Sequence, residues 1–429
     1  MNKPTSIAQI LTDSSCINDY EPNSMPVNQA REFIKAYLTP VSAVEKLPLH
    51  DCLGRILAEE IISPFNVPSF DNSAMDGYAF LATDSTEKIT LKIVGTSFAG
   101  GKYEGIVSAG QCVRIMTGGV MPLGCDTVVI QEKVLVEEGY IHFINVPKRG
   151  ANVRYAGDDL KTGQVVFNAG LKITPAELGL IASLGMAEVL VYRRLKVAFF
   201  STGDELIGVG KPLENGQIYD SNRYTLHGML TAMNVEIMDM GVIRDDPIAL
   251  ENALIEASQK ADVIITSGGV SVGEADYMKL LLEKLGQVLF WKIAMKPGRP
   301  LAFGKIGQAH YFGLPGNPVA VMVTFYQFVR EAILILMGQP TPKPLPLFKV
   351  TCTEPIKKMT GRTEFQRGIL YLAEDGEYRG EWVVKPLANQ SSGVLSSMSM
   401  ANCFIVLATE VGNVAANTQV QVQVFDGVV

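Results

Sequence analysis

At 429 residues the chain is too long for one hydrophobic core and implies two to four domains. With 47% hydrophobic and 19% charged residues, it is composed to fold rather than to stay disordered. Its formal net charge of −7 and pI of about 5.3 lack the basic stripe of a nucleic-acid binder, so an anionic ligand needs a pocket whose sign opposes the whole.

The first 24 residues hold no apolar core of signal-peptide length. Ala30, Phe33, Ile34 and Tyr37 then fall at helical spacing and predict a short helix over 28–38, within an N-terminal and linking segment reaching residue 62. A small β domain is expected over 63–146. It carries FDNSAMDGYAF, where Asp71 suits an Asx-turn, and then the runs KITLKIVG, QCVRIM, DTVVI, KVLVE and YIHFINV between glycine-rich turns. Residues 147–194, with the polar loop RYAGDDL, read as a second linking segment.

Residues 195–340 are the most regular part. LKVAFF, VEIMDMG, DVIITS, VLFWKIA and HYFGL each read as a buried strand. Between the first four lie three helical patterns: Leu226/Met229/Leu230/Met233, Leu250/Ala253/Leu254/Ala257 and Met278/Leu281/Leu282/Leu285. Pro247 suits a first helical turn and Gly286 the end of the third helix. Strand and helix in alternation imply a doubly wound, mostly parallel α/β domain. The apolar stretch from Pro318 to Gly338 is interrupted by Arg330 and Glu331, so a buried helix fits it better than a membrane span. TPKPLP over 341–346 reads as a linker, and FKVTCT, TEFQRGILYL, EWVVKPL, CFIVLA and TQVQVQVF predict a C-terminal β domain over 341–429. The fold class is thus multi-domain α/β plus β.

Ligands of open α/β sheets bind beyond the carboxyl ends of the strands. Here the turns after those strands are STGDEL (201–206), IRDDP (243–247), SGGVSVGEADY (267–277), MKPGRP (295–300) and GLPGNP (313–318). The glycines of SGGVSVGEADY let backbone amides approach a phosphate ahead of a helix start. No GxxxxGK[ST] occurs and no GxGxxG follows a strand, which disfavours a P-loop kinase or a nicotinamide dehydrogenase. Glu205, Asp245 and Asp276 come from three turns on one edge and suit magnesium, an ion that takes one or two carboxylates plus substrate phosphate. Each acid alone could equally cap a helix, as could the neighbouring Asp204, Asp246 and Glu274. Lys292, Lys296 and Arg299 read as an anion clamp. The six cysteines are scattered with no CxxC pair, as for reduced thiols in a cytosol, and four unpaired histidines speak against a transition-metal site.

DNSAMDGYA, STGDEL, SGGVSVGEADY and GLPGNP in this order resemble the molybdopterin molybdenumtransferases, the family that includes the E domain of gephyrin, and the resemblance runs from about Ala30 to the end. It implies an elongated four-domain protomer that dimerises, with the DNSAMDGYA loop of one protomer facing the α/β domain of its partner. It also implies insertion of molybdate into the dithiolene of adenylylated molybdopterin, with release of AMP and with Mg2+ as cofactor. A molybdopterin adenylyltransferase would be the upstream donor. Neither nucleic acid nor membrane would be a partner, and the setting would be cytoplasmic. By the same resemblance Ser267, Gly268, Gly269 and Ser271 would hold phosphate, and Glu205, Asp245 and Asp276 would position magnesium and water. Lys292 and Lys296 would stabilise developing charge and seat molybdate beside Pro297, Arg299, Arg367 and Ser392, with Ser391 or Ser396 as alternatives to Ser392. Asp71 and Asp159 match functional positions outside the α/β domain. Two rivals are a catalytically silent scaffold of the gephyrin E-domain type and an amidase sharing the SGG-type loop.

Overall fold

The computed structural model describes residues 24–82, 89–143, 147–269 and 276–425, and the chain divides into two compact units. The larger comprises 24–45, 54–56 and 192–425 among the described residues. Its first element is helix α1 (Val27–Tyr37), which buries Val27, Ala30 and Ile34.

The α/β region then runs β1 (Lys196–Thr202), α2 (Ser221–Ala232), β2 (Glu236–Ile243), α3 (Pro247–Lys260), β3 (Val263–Ser267), α4 (Asp276–Leu285), β4 (Gly286–Lys292), β5 (Pro300–Ile306) and β6 (Ala309–Leu314). The sheet order is β2-β1-β3-β6-β5-β4. Strands β2, β1, β3 and β6 are parallel, β5 runs against β6, and β4 runs against β5. The alternation of side chains explains the two covered faces. Val197 and Phe199 of β1 join Leu226 and Leu230 of α2 in one core, while Ala198 and Phe200 join Leu250 and Leu254 of α3 and Leu282 of α4 in the other. Burying one such phenylalanine is worth about 2–3 kcal/mol.

Strand β5 does not appear in the sequence reading, which passed from VLFWKIA straight to HYFGL. PLAFGKI forms two antiparallel ladders that need no helix between them, so the strand–helix rhythm could not reveal it. Glycine permits the close approach: a Cβ at Gly304 would lie 2.0 Å from the Gln287 carbonyl oxygen. Gly286 is the first residue of β4, directly after α4, so it serves the sheet as well as the end of the helix.

A continuous helix, α5 (Pro318–Leu336), follows β6 and contains a π-helical stretch over Phe325–Val329. It is the one described helix long and apolar enough to cross a membrane, and 72% of its most apolar window is buried inside the chain. Gln327, in the π stretch, donates from Nε2 to Gln423 Oε1 at 2.7 Å and accepts from Arg31. Polar contacts thus tie α1, α5 and the C-terminal strands together.

Those strands are β7 (Leu347–Cys352), β8 (Thr363–Leu372), β9 (Trp382–Pro386), β10 (Cys403–Leu407) and β11 (Thr418–Val424). The order β8-β9-β7-β11-β10 closes through a β8–β10 ladder into a barrel. Val420 and Val422 join its core and Val424 is buried too, as their alternation with glutamine predicts. The short pair Met295–Lys296 adds in parallel to Thr363–Glu364 of β8, joining the barrel to the α/β region.

The smaller unit comprises 46–53 and 57–191. One part is a six-stranded sheet built on Ile89–Ser97, Gln111–Ile115, Thr127–Ile130, Leu135–Glu137 and Tyr140–Phe143, close to the predicted runs. Its sixth strand, Gly77–Phe80, lies within the motif read as a polar loop, and every residue of it is buried. The other part packs Cys52, Leu57 and Ile61 against Leu160, Ile173, Ile181 and Val191, so segments on either side of the β sheet in sequence share a core. Asp71 makes no Asx-turn bond. Its Oδ1 accepts from Ala156 N at 2.8 Å, 85 residues away, while Asp76 Oδ1 accepts from Thr117 N and Oγ1. The FDNSAMDGYAF segment is therefore pinned to the turns at Thr117 and Ala156.

Candidate functional site

The carboxyl ends of β1, β2, β3 and β6 open onto a cleft of about 1090 Å³, to whose lining the C-terminal region adds Arg362 and residues of the 390–395 loop. Five turns build it in the way their sequences require. Thr202, Gly203 and Glu205 follow β1, and Thr202 Oγ1 donates to Asp245 Oδ1 of the turn after β2. Asp245 N in turn donates to Asp204 Oδ1 at 3.4 Å. Asp246 is spent elsewhere, accepting from Ala249 N as the cap of α3 with Pro247 in its first turn. Among these neighbouring acids, then, capping holds for Asp246.

After β3, Gly268 has φ +95°, and a Cβ there would lie 2.4 Å from the Thr202 carbonyl oxygen. Only glycine lets the β3 turn lie this close to the β1 turn. Ser267, Gly268 and Gly269 line the cleft, whereas Ser271 and Glu274 lie outside the described residues, as does the side chain of Asp276 at the start of α4. Gly298, at φ +94°, packs its Cα against α5, where a Cβ would meet Thr324 Oγ1 at 2.6 Å.

The charges are sorted along the sheet. Glu205 and Asp245 belong to the β1 and β2 turns, and Lys296 and Arg299 to the 295–300 turn beside β5. Arg362 of the barrel adds a further cation to the lining. Lys296, read from the sequence as part of an anion clamp, keeps a side chain 52% exposed, with Nζ 3.8 Å from Glu364 Oε2. Lys292 ends β4 on the same edge, but it is exposed and is not part of the cleft lining.

Arg367 differs from its expected placement. It is 1% exposed and lies behind the cleft wall, donating from Nε to Ser397 Oγ and from Nη2 to the carbonyls of Asn389 and Ser391. No carboxylate accompanies it, and burial pulls its pKa down to about 10. The loop it grips supplies Gln390, Ser391 and Ser392 to the lining, and Ser392 O accepts from Val319 N of α5. Asp71 and Asp159 belong to the smaller unit; Asp159 is exposed.

Sequence reasoning passed over Asp220, Asn222, Arg362 and Gln390. Asp220 caps α2 through Arg223 N, and an Asp-Ser-Asn run ahead of Leu226 and Leu230 is a readable capping signal. Its place in the cleft is not readable, because it depends on a short excursion between β1 and α2. Arg362 depends on how the barrel docks, which no local pattern records.

Three family models match in succession: the MoeA N-terminal region (domain I and II) over 25–185, a probable molybdopterin binding domain over 198–334, and the MoeA C-terminal region (domain IV) over 349–425. The chain is 48% identical to the molybdopterin molybdenumtransferase of Haemophilus influenzae over 403 residues, covering 94% of this chain and 99% of that one. It is 37% identical to the corresponding protein of a Nostoc species, covering 82% of each. The crystal structure of the molybdopterin biosynthesis moeA protein from Pyrococcus horikoshii OT3 superposes with a TM-score of 0.81 at 26% identity, covering 94% of this chain and all of that one. With five loops of the expected types converging on one cleft and a match of this extent, the chain belongs to the molybdopterin molybdenumtransferase family.

Proposed function

We propose that this enzyme acts in molybdenum cofactor biosynthesis by inserting molybdate into the dithiolene of adenylylated molybdopterin and releasing AMP. The observation that carries the reading is the sorted charge of the cleft, with carboxylates at the β1 and β2 turns and Lys296, Arg299 and Arg362 toward the other end of the sheet. Such an arrangement suits a ligand with an anionic end and a phosphoanhydride. Ser267, Gly268 and Gly269 present backbone to phosphate, Lys296 with Pro297 and Arg299 receives the oxyanion, and Ser392 contributes a hydroxyl held in place through Arg367.

The donor set fits magnesium of the substrate-bridging kind. Glu205 and Asp245 both line the cleft, and among the described residues no cluster of three metal-binding side chains forms a complete cage. Magnesium needs only one or two carboxylates when phosphate and water complete its shell, and when bound it would neutralise charge on the phosphates. Asp276 is proposed as a further ligand, and Lys292 as a cation at the edge. The working form would be a homodimer in which Asp71 and Asp159 serve the partner's cleft. It would be supplied by a molybdopterin adenylyltransferase and would work in the cytosol. Free Cys52, Cys112, Cys125, Cys352 and Cys403 support a reducing compartment.

The test is to give purified protein adenylylated molybdopterin, magnesium and molybdate and to measure molybdenum in the recovered pterin. Stoichiometric metal supports the reading. Metal-free pterin, with the substrate intact, sinks it. A silent scaffold would behave in that second way.

A further inference from the structure

The segment Ile218–Asn222, between β1 and α2, lines the cleft although no sequence motif singled it out. Its residues divide into two kinds. Ile218 and Tyr219 are exposed apolar side chains, 55% and 42% accessible, at the cleft surface. Asp220 is 2% exposed, and its two oxygens are treated unequally. Oδ1 accepts from Ser201 Oγ at 3.0 Å and from Arg223 N at 3.1 Å, whereas Oδ2 has no hydrogen-bond partner. Capping α2 and holding Ser201 therefore account for one oxygen and leave the other over.

Asn222, two residues on, repeats the pattern. Its Nδ2 donates to Ser267 Oγ at 2.9 Å and to Gly316 O at 2.7 Å, and its Oδ1 is buried without a partner. Those two bonds fix which way the amide points, since the reversed amide would set its oxygen against the Gly316 carbonyl. A buried acceptor left unmade costs roughly 1–3 kcal/mol. Two of them in one five-residue segment of the cleft wall, beside an exposed apolar surface, mark a place that a ligand completes.

From this we infer that Ile218–Asn222 is a recognition site for a ring-bearing part of the ligand that offers two adjacent hydrogen-bond donors. Asp220 Oδ2 and Asn222 Oδ1 accept from the donors, and Ile218 and Tyr219 pack against the ring. The inference deepens the proposed function and rests on it. Two parts of adenylylated molybdopterin have this chemistry: the ribose cis-diol of the adenylyl group, and the pterin edge carrying the 2-amino group and the ring N–H. Lys296 and Arg299 line the cleft from the turn ahead of β5 and Arg362 from the residue before β8, whereas Asp220 and Asn222 bond to Ser201, Ser267 and Gly316 at or after the ends of β1, β3 and β6, so the anionic centre and the donor pair would bind to different walls of one cleft. The segment then fixes the orientation of the substrate.

The test is calorimetric titration of the full-length protein with two probes, AMP and 6-hydroxymethylpterin. Asp220→Asn keeps an acceptor for Ser201 and the helix cap but puts an N–H where the unpaired oxygen was. It should weaken one probe by roughly 10–100-fold, the loss expected for a hydrogen bond to a charged group, and leave the other unchanged. Loss of AMP alone assigns the ribose; loss of the pterin alone assigns the pterin edge. The second arm needs no variant. Wild-type protein should lose a similar factor with 2′-deoxy- or 3′-deoxy-AMP in the first case, or with an N2,N2-dimethylated pterin in the second. If wild type binds the probes and neither the variant nor the donor-deleted ligands bind more weakly, the inference is overturned while the proposed function stands. If wild type binds neither probe, both fall together.

Discussion

Lys296 and Glu364 lie on opposite sides of a domain junction, paired residue to residue in a parallel ladder, with Nζ 3.8 Å from Oε2. Glu364 is 3% exposed and is also held by Gln366 Nε2 at 2.9 Å, so it is a fixed negative charge beside a half-exposed lysine of the cleft. An anion arriving at Lys296 competes with that carboxylate.

Lys296→Ala should therefore raise the molybdate concentration for half activity by about 10-fold or more, as expected on removing a charge-assisted contact. The isosteric Glu364→Gln should lower it by roughly 3–10-fold, the effect of about 1 kcal/mol of relieved repulsion. Steady-state titration with molybdate reads both. A rise for Glu364→Gln matching that for Lys296→Ala would mean that Glu364 orients the lysine instead of competing for it.

Asp245 receives a hydroxyl bond from Thr202 and adds little apolar packing, so its removal should cost turnover rather than fold. We expect Asp245→Asn to lose about 10²–10³ in turnover with a nearly unchanged melting temperature. Chelation of magnesium should abolish activity in the wild type, and added magnesium should restore it. Full activity after chelation would remove the ion from the account.

How much of this was legible varies by region. The three helices and five of the six strands of the α/β domain follow from apolar spacing alone, although VEIMDMG, read as a buried strand, forms the edge strand β2, no residue of which is fully buried. Strand β5 was missed because a hairpin carries no helix to mark it, and Gly77–Phe80 because polar neighbours hide a buried run. At the site, glycine and acid types at strand ends were enough to place Glu205, Asp245, Ser267, Gly268 and Gly269. Arg367 was not placed correctly, since a cation held by Ser397 and two carbonyls looks in sequence like one that faces an anion.

His310 gives a pH signature independent of activity. It is buried at the start of β6, Nδ1 has no partner, and desolvation, with Lys305 adding to it against Asp262, lowers its pKa from 6.5 to about 4. Between those values the unfolded chain binds the proton and the folded chain does not. Stability is therefore full above pH 6.5 and falls by about 3 kcal/mol as pH drops toward 4. Urea titrations at several pH values should show His310→Gln losing less stability than wild type across that window. Parallel curves would contradict the assignment.

Sharing of sites between subunits is tested by complementation. If Asp71 serves the partner's cleft, mixing inactive Asp71→Ala and Asp276→Ala proteins with subunit exchange leaves one of the two sites in each mixed dimer free of lesions. Random exchange makes half the dimers mixed, so activity should recover to roughly a quarter of wild type. No recovery after demonstrated exchange would place both residues in a site within one chain.

The most direct measurement of the central claim is AMP release from adenylylated molybdopterin by the purified wild-type enzyme with magnesium, with and without molybdate. A cleft that couples cleavage to metal insertion predicts AMP release that rises with molybdate, saturates and matches the molybdenum taken up. Equal release in both samples would show plain hydrolysis and contradict the account.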